Sequence, residues 1–188
     1  MQNLEKLEKE IKEIILRSSV KTDLAHALST KKWILKLKPD ADIALQIAAL
    51  AHDIERGFEP DYYNKTIEKF ENYEVHKRIH SEKSAKIIVE LLEKYRFDDS
   101  IIKKVERLVL NHEIGGDSES NLLMDADSIS FFEENFVQYY EKYGVDKARK
   151  KIRFMYGRMS KKAQKLVIGT KYDNSVLNFI FKSEISNK

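Results

Sequence analysis

The run Ile43-Ala44-Leu45-Gln46-Ile47-Ala48-Ala49-Leu50-Ala51 is the most apolar stretch of this chain, and it ends on the doublet His52-Asp53. A run of that kind belongs in a core, where an unpaired carboxylate is very costly. An acid delivered there beside an imidazole needs a partner, and a bound metal ion supplies one. Whatever fold the chain adopts must therefore bring cations or further polar groups to Asp53.

Helices are the expected support. Gly (6) and Pro (2) are scarce in the 188 residues, so few tight turns are available. Apolar residues recur at i, i+3 and i+4, and period-2 alternation is rare. The fold class is read as all-α, in a single domain spanning 1–188. Hydrophobic residues make up 42% and charged residues 35%, the balance of a globular protein. No Cys is present, which removes disulfides, thiolate metal sites and cysteine nucleophiles together. No apolar run reaches membrane-spanning length, and the N-terminus lacks the pattern of a signal peptide, so a cytoplasmic location and no membrane partner are expected.

Polar punctuation places the elements. A first helix runs from about Leu4 to Leu16. A second begins at the cap pair Thr22-Asp23 and carries His26, Trp33 and Leu37 on one face. Pro39-Asp40 opens the buried helix that leads to His52-Asp53. Gly57 and Pro60 mark a loop, followed by an aromatic segment with Tyr62, Tyr63, Phe70 and Tyr73. A long helix covers about Val75 to Tyr95. Asp98-Asp99 caps the next, which stops before Gly115-Gly116. Ser118 caps a helix through Asp127 to Tyr143, stopped by Gly144. A basic helix follows to about Tyr156, and Ser160 caps a last one to about Phe181.

Four of the five histidines fall in order with aspartates: His26, His52-Asp53, His80, His112, then Asp127. His80 is in register with Ser84, Ile87, Ile88 and Leu91. His112 continues the stripe Ile101, Val105, Leu108 and Val109, and Asp127 lies four residues from both Leu123 and Phe131. These spacings share a helix face, so all three polar residues point inward. Neutral imidazoles with carboxylates suit Mn²⁺, Fe²⁺, Co²⁺, Ni²⁺ or Zn²⁺, rather than the nearly all-oxygen shells of Mg²⁺ or Ca²⁺.

This order resembles the HD superfamily of metal-dependent phosphohydrolases, α-helical bundles named for their His-Asp doublet. The likeness covers roughly Asp23 to Val167, with basic helices at about 146–182 towards the C-terminus. Leu122-Leu123-Met124-Asp125-Ala126-Asp127 is similar to the family's last metal motif, with Asp127 as the ligand and Asp125 behind it or on the surface. Ile79-His80-Ser81-Glu82-Lys83-Ser84-Ala85 and Leu110-Asn111-His112-Glu113 are similar to its extra histidine motifs. The resemblance implies one metal on His26, His52, Asp53 and Asp127, and a second on His80, His112 and the shared Asp53. The wording His52-Asp53-Ile54-Glu55-Arg56 is similar to small stand-alone HD proteins of unassigned activity. The later Tyr motif and tandem histidines of the cyclic-dinucleotide branch are missing.

The implied activity is hydrolysis of a phosphate ester or phosphoanhydride, on a nucleotide or another small phosphorylated metabolite, with one or two divalent transition metal ions as cofactor. Asp53, Glu55 and Arg56 are the candidate catalytic residues. Arg56, Lys83 and Arg158 are candidate phosphate contacts, Arg because its planar fork matches phosphate geometry. For Arg56 a structural ion pair with Glu55 stands as the alternative. His76, one turn before His80, is read as a supporting or surface residue, because His-Lys-Arg-Ile-His lacks the glutamate of a zincin motif. The aromatic residues around Tyr62 are either core packing or a stacking surface, and the loop from Gly57 to Asn64 is a candidate lid.

Two other functions compete. HD-type proteins that hold two irons and activate O₂ have similar ligands. A non-enzymatic helical module binding nucleic acid or protein is suggested by the segment Lys147 to Lys171, which has ten Lys or Arg and no acid. That segment is either a solvated face or a phosphate-attracting rim beside the site.

Overall fold

Helix ends in this protein are set by side chains that answer the unpaired backbone groups of the first and last turns. The computed structural model describes residues 2–58 and 73–186, apart from the side chains of residues 73, 74 and 76. Its elements are α1 (Gln2–Ile15), α2 (Asp23–Leu37), α3 (Ile43–Ala51), α4 (Glu55–Phe58), α5 (Tyr73–Lys94), α6 (Asp99–Asn111) and α7 (Ser118–Ser130). A π-helical turn (Phe131–Asn135) leads into α8 (Phe136–Arg158), followed by α9 (Lys161–Val167) and α10 (Ser175–Ser186). Among the described residues there is no β-strand, so the all-α expectation holds. No helix among them is long and apolar enough to cross a membrane. Tyr62, Tyr63, Phe70 and most of the candidate lid lie outside the described residues.

Several boundaries differ from expectation, each for a local reason. Helix α3 starts at Ile43, because the carboxylate of Asp42 accepts from the Leu45 amide at 3.0 Å. Pro39-Asp40 sits in the preceding turn. Asp117 caps α7 in place of Ser118, accepting from the Glu119 and Ser120 amides. Ser160 caps α9 as its sequence position suggests, accepting from Ala163. The expected final helix is two, since Asn174 accepts from the Val176 and Leu177 amides and starts α10 afresh. Gly144 does break the path, with φ 77° and ψ −179° inside α8. That region of backbone space is essentially restricted to glycine.

Helix α3 is the central strut, packed on α2, α6 and α7, while α5 lies along α6. Leu45, Ala48, Ala49, Leu50 and Ala51 are fully buried, so the apolar run occupies the core as expected. This first apolar cluster extends from Leu7 on α1 to Ala126 on α7. A second begins at Ile129 and gathers Phe132, Phe136, Ile152, Leu177 and Phe181 from the π turn, α8 and α10. Trp33 and Leu37 of α2 touch both clusters.

The short α4 follows the His-Asp doublet and turns the chain against α1. Its Gly57 lies so close that a Cβ would fall 2.0 Å from the Ile14 carbonyl oxygen. Backbone cannot yield as a flexible side chain can. Gly57→Ala is expected to cost about 3 kcal/mol or more, seen as a lower urea midpoint at unchanged m-value. Ala at the exposed Gly169, where nothing lies within 4 Å, should leave the midpoint nearly unmoved.

Candidate metal centre

Two of the key histidines are the first residues beyond a helix. His52 follows α3 and His112 follows α6, in each case as the C-terminal cap. Carbonyls in a last turn lack helical partners, and the imidazoles use them. His52 donates through Nδ1–H to the Ala49 carbonyl at 3.0 Å, and His112 does the same to Val109 at 2.7 Å. His26, in the first turns of α2, donates through Nδ1–H to Ser130 Oγ at 2.9 Å, whose own hydroxyl donates to the His26 carbonyl. His80 of α5 donates through Nδ1–H to the Glu55 carboxylate. Every Nδ1 is thus committed, which turns each Nε2 towards the neighbouring imidazoles and carboxylates, where it can serve as a ligand in the neutral ring.

Those Nε2 atoms converge. His26 Nε2 lies 3.1 Å from His52 Nε2 and 3.1 Å from Asp127 Oδ1. His52 Nε2 lies 3.6 Å from the same Asp127 oxygen. On the other side, His80 Nε2 lies 2.7 Å and His112 Nε2 3.7 Å from Asp53 Oδ1. Asp53 turns its second oxygen, Oδ2, towards His26 and His52 at 3.8 and 3.7 Å. Two buried groups result, His26/His52/Asp127 and Asp53/His80/His112, each with ligand atoms within 4.8 Å of one another. All six residues taken from the sequence as metal ligands come together.

The donor set fits a cation. With both rings neutral and their hydrogens on Nδ1, the two Nε2 lone pairs face one another at 3.1 Å and repel unless a positive charge lies between. His112 Nε2 is buried with no hydrogen-bond partner, a rare state for a polar atom in a core. Both observations are explained by divalent ions bound to the Nε2 atoms and carboxylates. Nitrogen-rich sites of this kind suit first-row transition metals.

Charges around the site are tuned by paired groups. Burial pushes the Asp53 carboxyl upward, but the Arg56 guanidinium, then His52 and His80, hold it well below the usual range. Asp127 is likewise raised by burial and lowered more strongly by Arg158 and by the imidazoles of His26 and His52. Burial disfavours a charged His80, yet Glu55 and Asp53 on its two sides raise it to about 10. His112 has the opposite balance, and burial takes it down to about 4.

The helper residues are placed unevenly. Glu55 stands behind His80, orienting it. Arg56 pairs with Asp53 Oδ2 at 2.7 Å and with Asp23 Oδ1 at 3.1 Å, not with Glu55. Arg158 is anchored by Ser128, Glu113 and Asp127, so it braces a ligand while lining the cavity above. Lys83 lies elsewhere, in a separate depression with Glu55, Phe58 and Glu90. Asp125 is buried and holds the backbone and hydroxyl of Ser160 at 2.7 and 2.5 Å, tying α9 to α7.

Above the ligands opens a cavity of about 590 Å³, reached by His26, Asp53, Asp127, Arg56 and Arg158 at its floor. The basic segment divides here. Lys147, Lys150, Lys151 and Arg158 line the cavity, while Arg149 and Arg153 pair with Glu184 of α10. Lys151 is pushed down to about 8, chiefly by burial, with Glu113 opposing. The sequence reading took Lys151 only as one of the ten basic residues of a candidate rim, and missed Glu113, Asp23 and Ser130 as parts of the site. The spacing Lys147, Lys151, Phe154, Arg158 on one helix face was the available signal for Lys151.

No curated protein and no solved structure matches the chain. One family does, over residues 5–180, nearly the whole length. By that match the chain belongs to the family described as Domain of unknown function (DUF4202).

Proposed function

We propose that this protein is a metal-dependent phosphohydrolase, acting on a nucleotide or another small phosphorylated metabolite. One observation carries the reading: Asp53 turns one oxygen to His80 and His112 and the other to His26 and His52, as a carboxylate bridging two ions would. The ordered His and Asp residues, similar to those of the HD superfamily, support the same reading. So does a cationic cavity directly over them.

His26, His52 and Asp127 would hold one ion, His80 and His112 the other, with Asp53 between. Ions so held would supply Lewis acidity and acidify water for attack on phosphorus. The chain's own residues do the rest. Glu55 fixes the His80 ring by its Nδ1–H, and main-chain carbonyls fix His52 and His112. Arg56 and Arg158 hold Asp53 and Asp127 ionised and present guanidinium edges to the cavity. Lys151, half-buried beside them, offers an ammonium to a phosphoryl oxygen. Lys83 has no part in this arrangement.

The test is a metal-stripped screen. Protein reloaded with Mn²⁺, Co²⁺, Ni²⁺, Fe²⁺, Zn²⁺ or Mg²⁺ is offered mononucleotides, nucleoside triphosphates and sugar phosphates, and released phosphate or pyrophosphate is measured. Turnover with a transition metal is expected, and Asp53→Ala should abolish it while keeping the helical circular-dichroism spectrum. Two irons per chain with O₂ consumption and no phosphate release would replace this reading by an oxygenase.

Metal stoichiometry tests the two-group arrangement separately. Wild-type protein is expected to hold two ions by plasma emission, and His112→Ala one. Two ions retained in His112→Ala would remove that imidazole from the ligand set.

A further inference from the structure

Away from the His and Asp ligands the cavity wall changes character. Phe131, Asn135, Tyr139 and Tyr143 follow one another at four-residue steps through the π turn and into α8, and all line the cavity. The Phe131 and Tyr139 rings are 6.0 Å apart at 73°, and those of Tyr139 and Tyr143 are 4.7 Å apart at 51°. Val20 and Met155 add apolar surface to the same cavity. Aromatic walls of this kind suit a flat ring, because every heterocyclic base has a π face that can stack.

Set among these rings is an amide whose oxygen bonds nothing. Asn135 Oδ1 is closed off from solvent and has no hydrogen-bond partner among the described residues. Buried acceptors in folded proteins are nearly always paired, and an orphan lowers stability unless something else uses it. Gln138, three residues on and lining the same cavity, shows the satisfied case: its Oε1 accepts from Thr22 Oγ1 at 2.8 Å. Asn135 is the last residue of the π turn, which closes with the Phe136 amide donating to the Phe131 carbonyl. That turn follows Ser130, whose hydroxyl meets both the ring and the carbonyl of His26. One end of the turn therefore touches a candidate metal ligand, and the other carries the amide. Single π turns recur at functional sites. The torsion that carries a terminal amide is soft, so a ligand in the cavity can draw both polar atoms of Asn135 to its edge.

We propose that Asn135 determines substrate specificity: it reads the hydrogen-bonding edge of a flat heterocyclic base stacked on Tyr139, in a substrate whose phosphoryl group lies over the His and Asp ligands. A carboxamide presents an acceptor beside a donor, which pairs with a base edge offering the complementary two. The substrate is then a nucleotide and not a sugar phosphate. This rests on the hydrolase reading for the phosphoryl end. Selection of the base is a matter of binding and is measured without turnover.

The experiment is calorimetric titration of the purified full-length protein, with metal content measured on each sample. The probes are analogues of AMP, GMP, CMP, UMP and ribose 5-phosphate with a methylene group in place of the ester oxygen, which phosphohydrolases do not cleave. The best base is expected to bind about tenfold tighter than the weakest, the usual effect of one paired base edge. Asn135→Ala should erase that preference, and should unfold at the same temperature or higher because it removes an unpaired acceptor. Tyr139→Leu should weaken all four bases relative to the ribose analogue while keeping their order. Ratios between bases are read within each variant, so a partial loss of folded protein cancels. Four bases bound alike by the wild type overturn the proposal, and so does a preference that survives in Asn135→Ala. Equal affinities in a protein that releases phosphate would remove this inference and spare the hydrolase reading. A preference erased in Asn135→Ala, in a protein that releases no phosphate, would do the reverse.

Discussion

The rest of the structure depends on keeping one carboxylate ionised in the core. Asp53 is buried at the end of the most apolar helix, where an isolated anion is intolerable. Arg56 answers it from one turn later, and four imidazoles turn their Nε2 atoms towards it. One guanidinium does not satisfy so many facing acceptors. The packing of α2, α3, α5, α6 and α7 places these groups together, and bound cations would resolve the electrostatic conflict that packing creates.

Helix termini do the orienting. A histidine one residue past a helix finds an unpaired carbonyl three residues back, and His52 and His112 both take that bond. The same carbonyl ends carry partial negative charge, which favours a cation nearby. His26 reaches an equivalent state through Ser130, at the last residue before the π turn. A π turn inserts extra backbone per turn and so rotates the following face. Here it leaves Asn135 on the cavity while Phe132 and Phe136 enter the second apolar cluster, and Phe131 belongs to both.

Arginine and lysine divide the work around the acids. Arg158 spends its planar fork on Asp127, Glu113 and Ser128, a geometry lysine cannot reproduce. Lys151 and Lys147 have compact ammonium heads on long stems, and they line the cavity beside aromatic rings. What reads in one dimension as a uniform basic stretch is three populations in space. One braces a ligand or lines the cavity, one ties α10 to α8 through Glu184, and one is exposed on and after α9.

By itself the sequence determined the helical class, the inward faces of His80, His112 and Asp127, and which His and Asp residues gather in the two buried groups. Periodicity and burial follow from local spacing, and a polar residue on an apolar stripe is visible without coordinates. Cap positions were legible only where chemistry was unambiguous, as at Ser160. At Asp42 and Asp117 a neighbouring residue competed on equal terms, and side-chain geometry chose. Tertiary structure alone decided that Asp53 faces two groups, that Arg158 braces Asp127, that Lys83 lines a separate depression, and that Lys151 lines the cavity. These are contacts between residues tens of positions apart. Their distances depend on how helices cross, which a pattern along one helix does not encode.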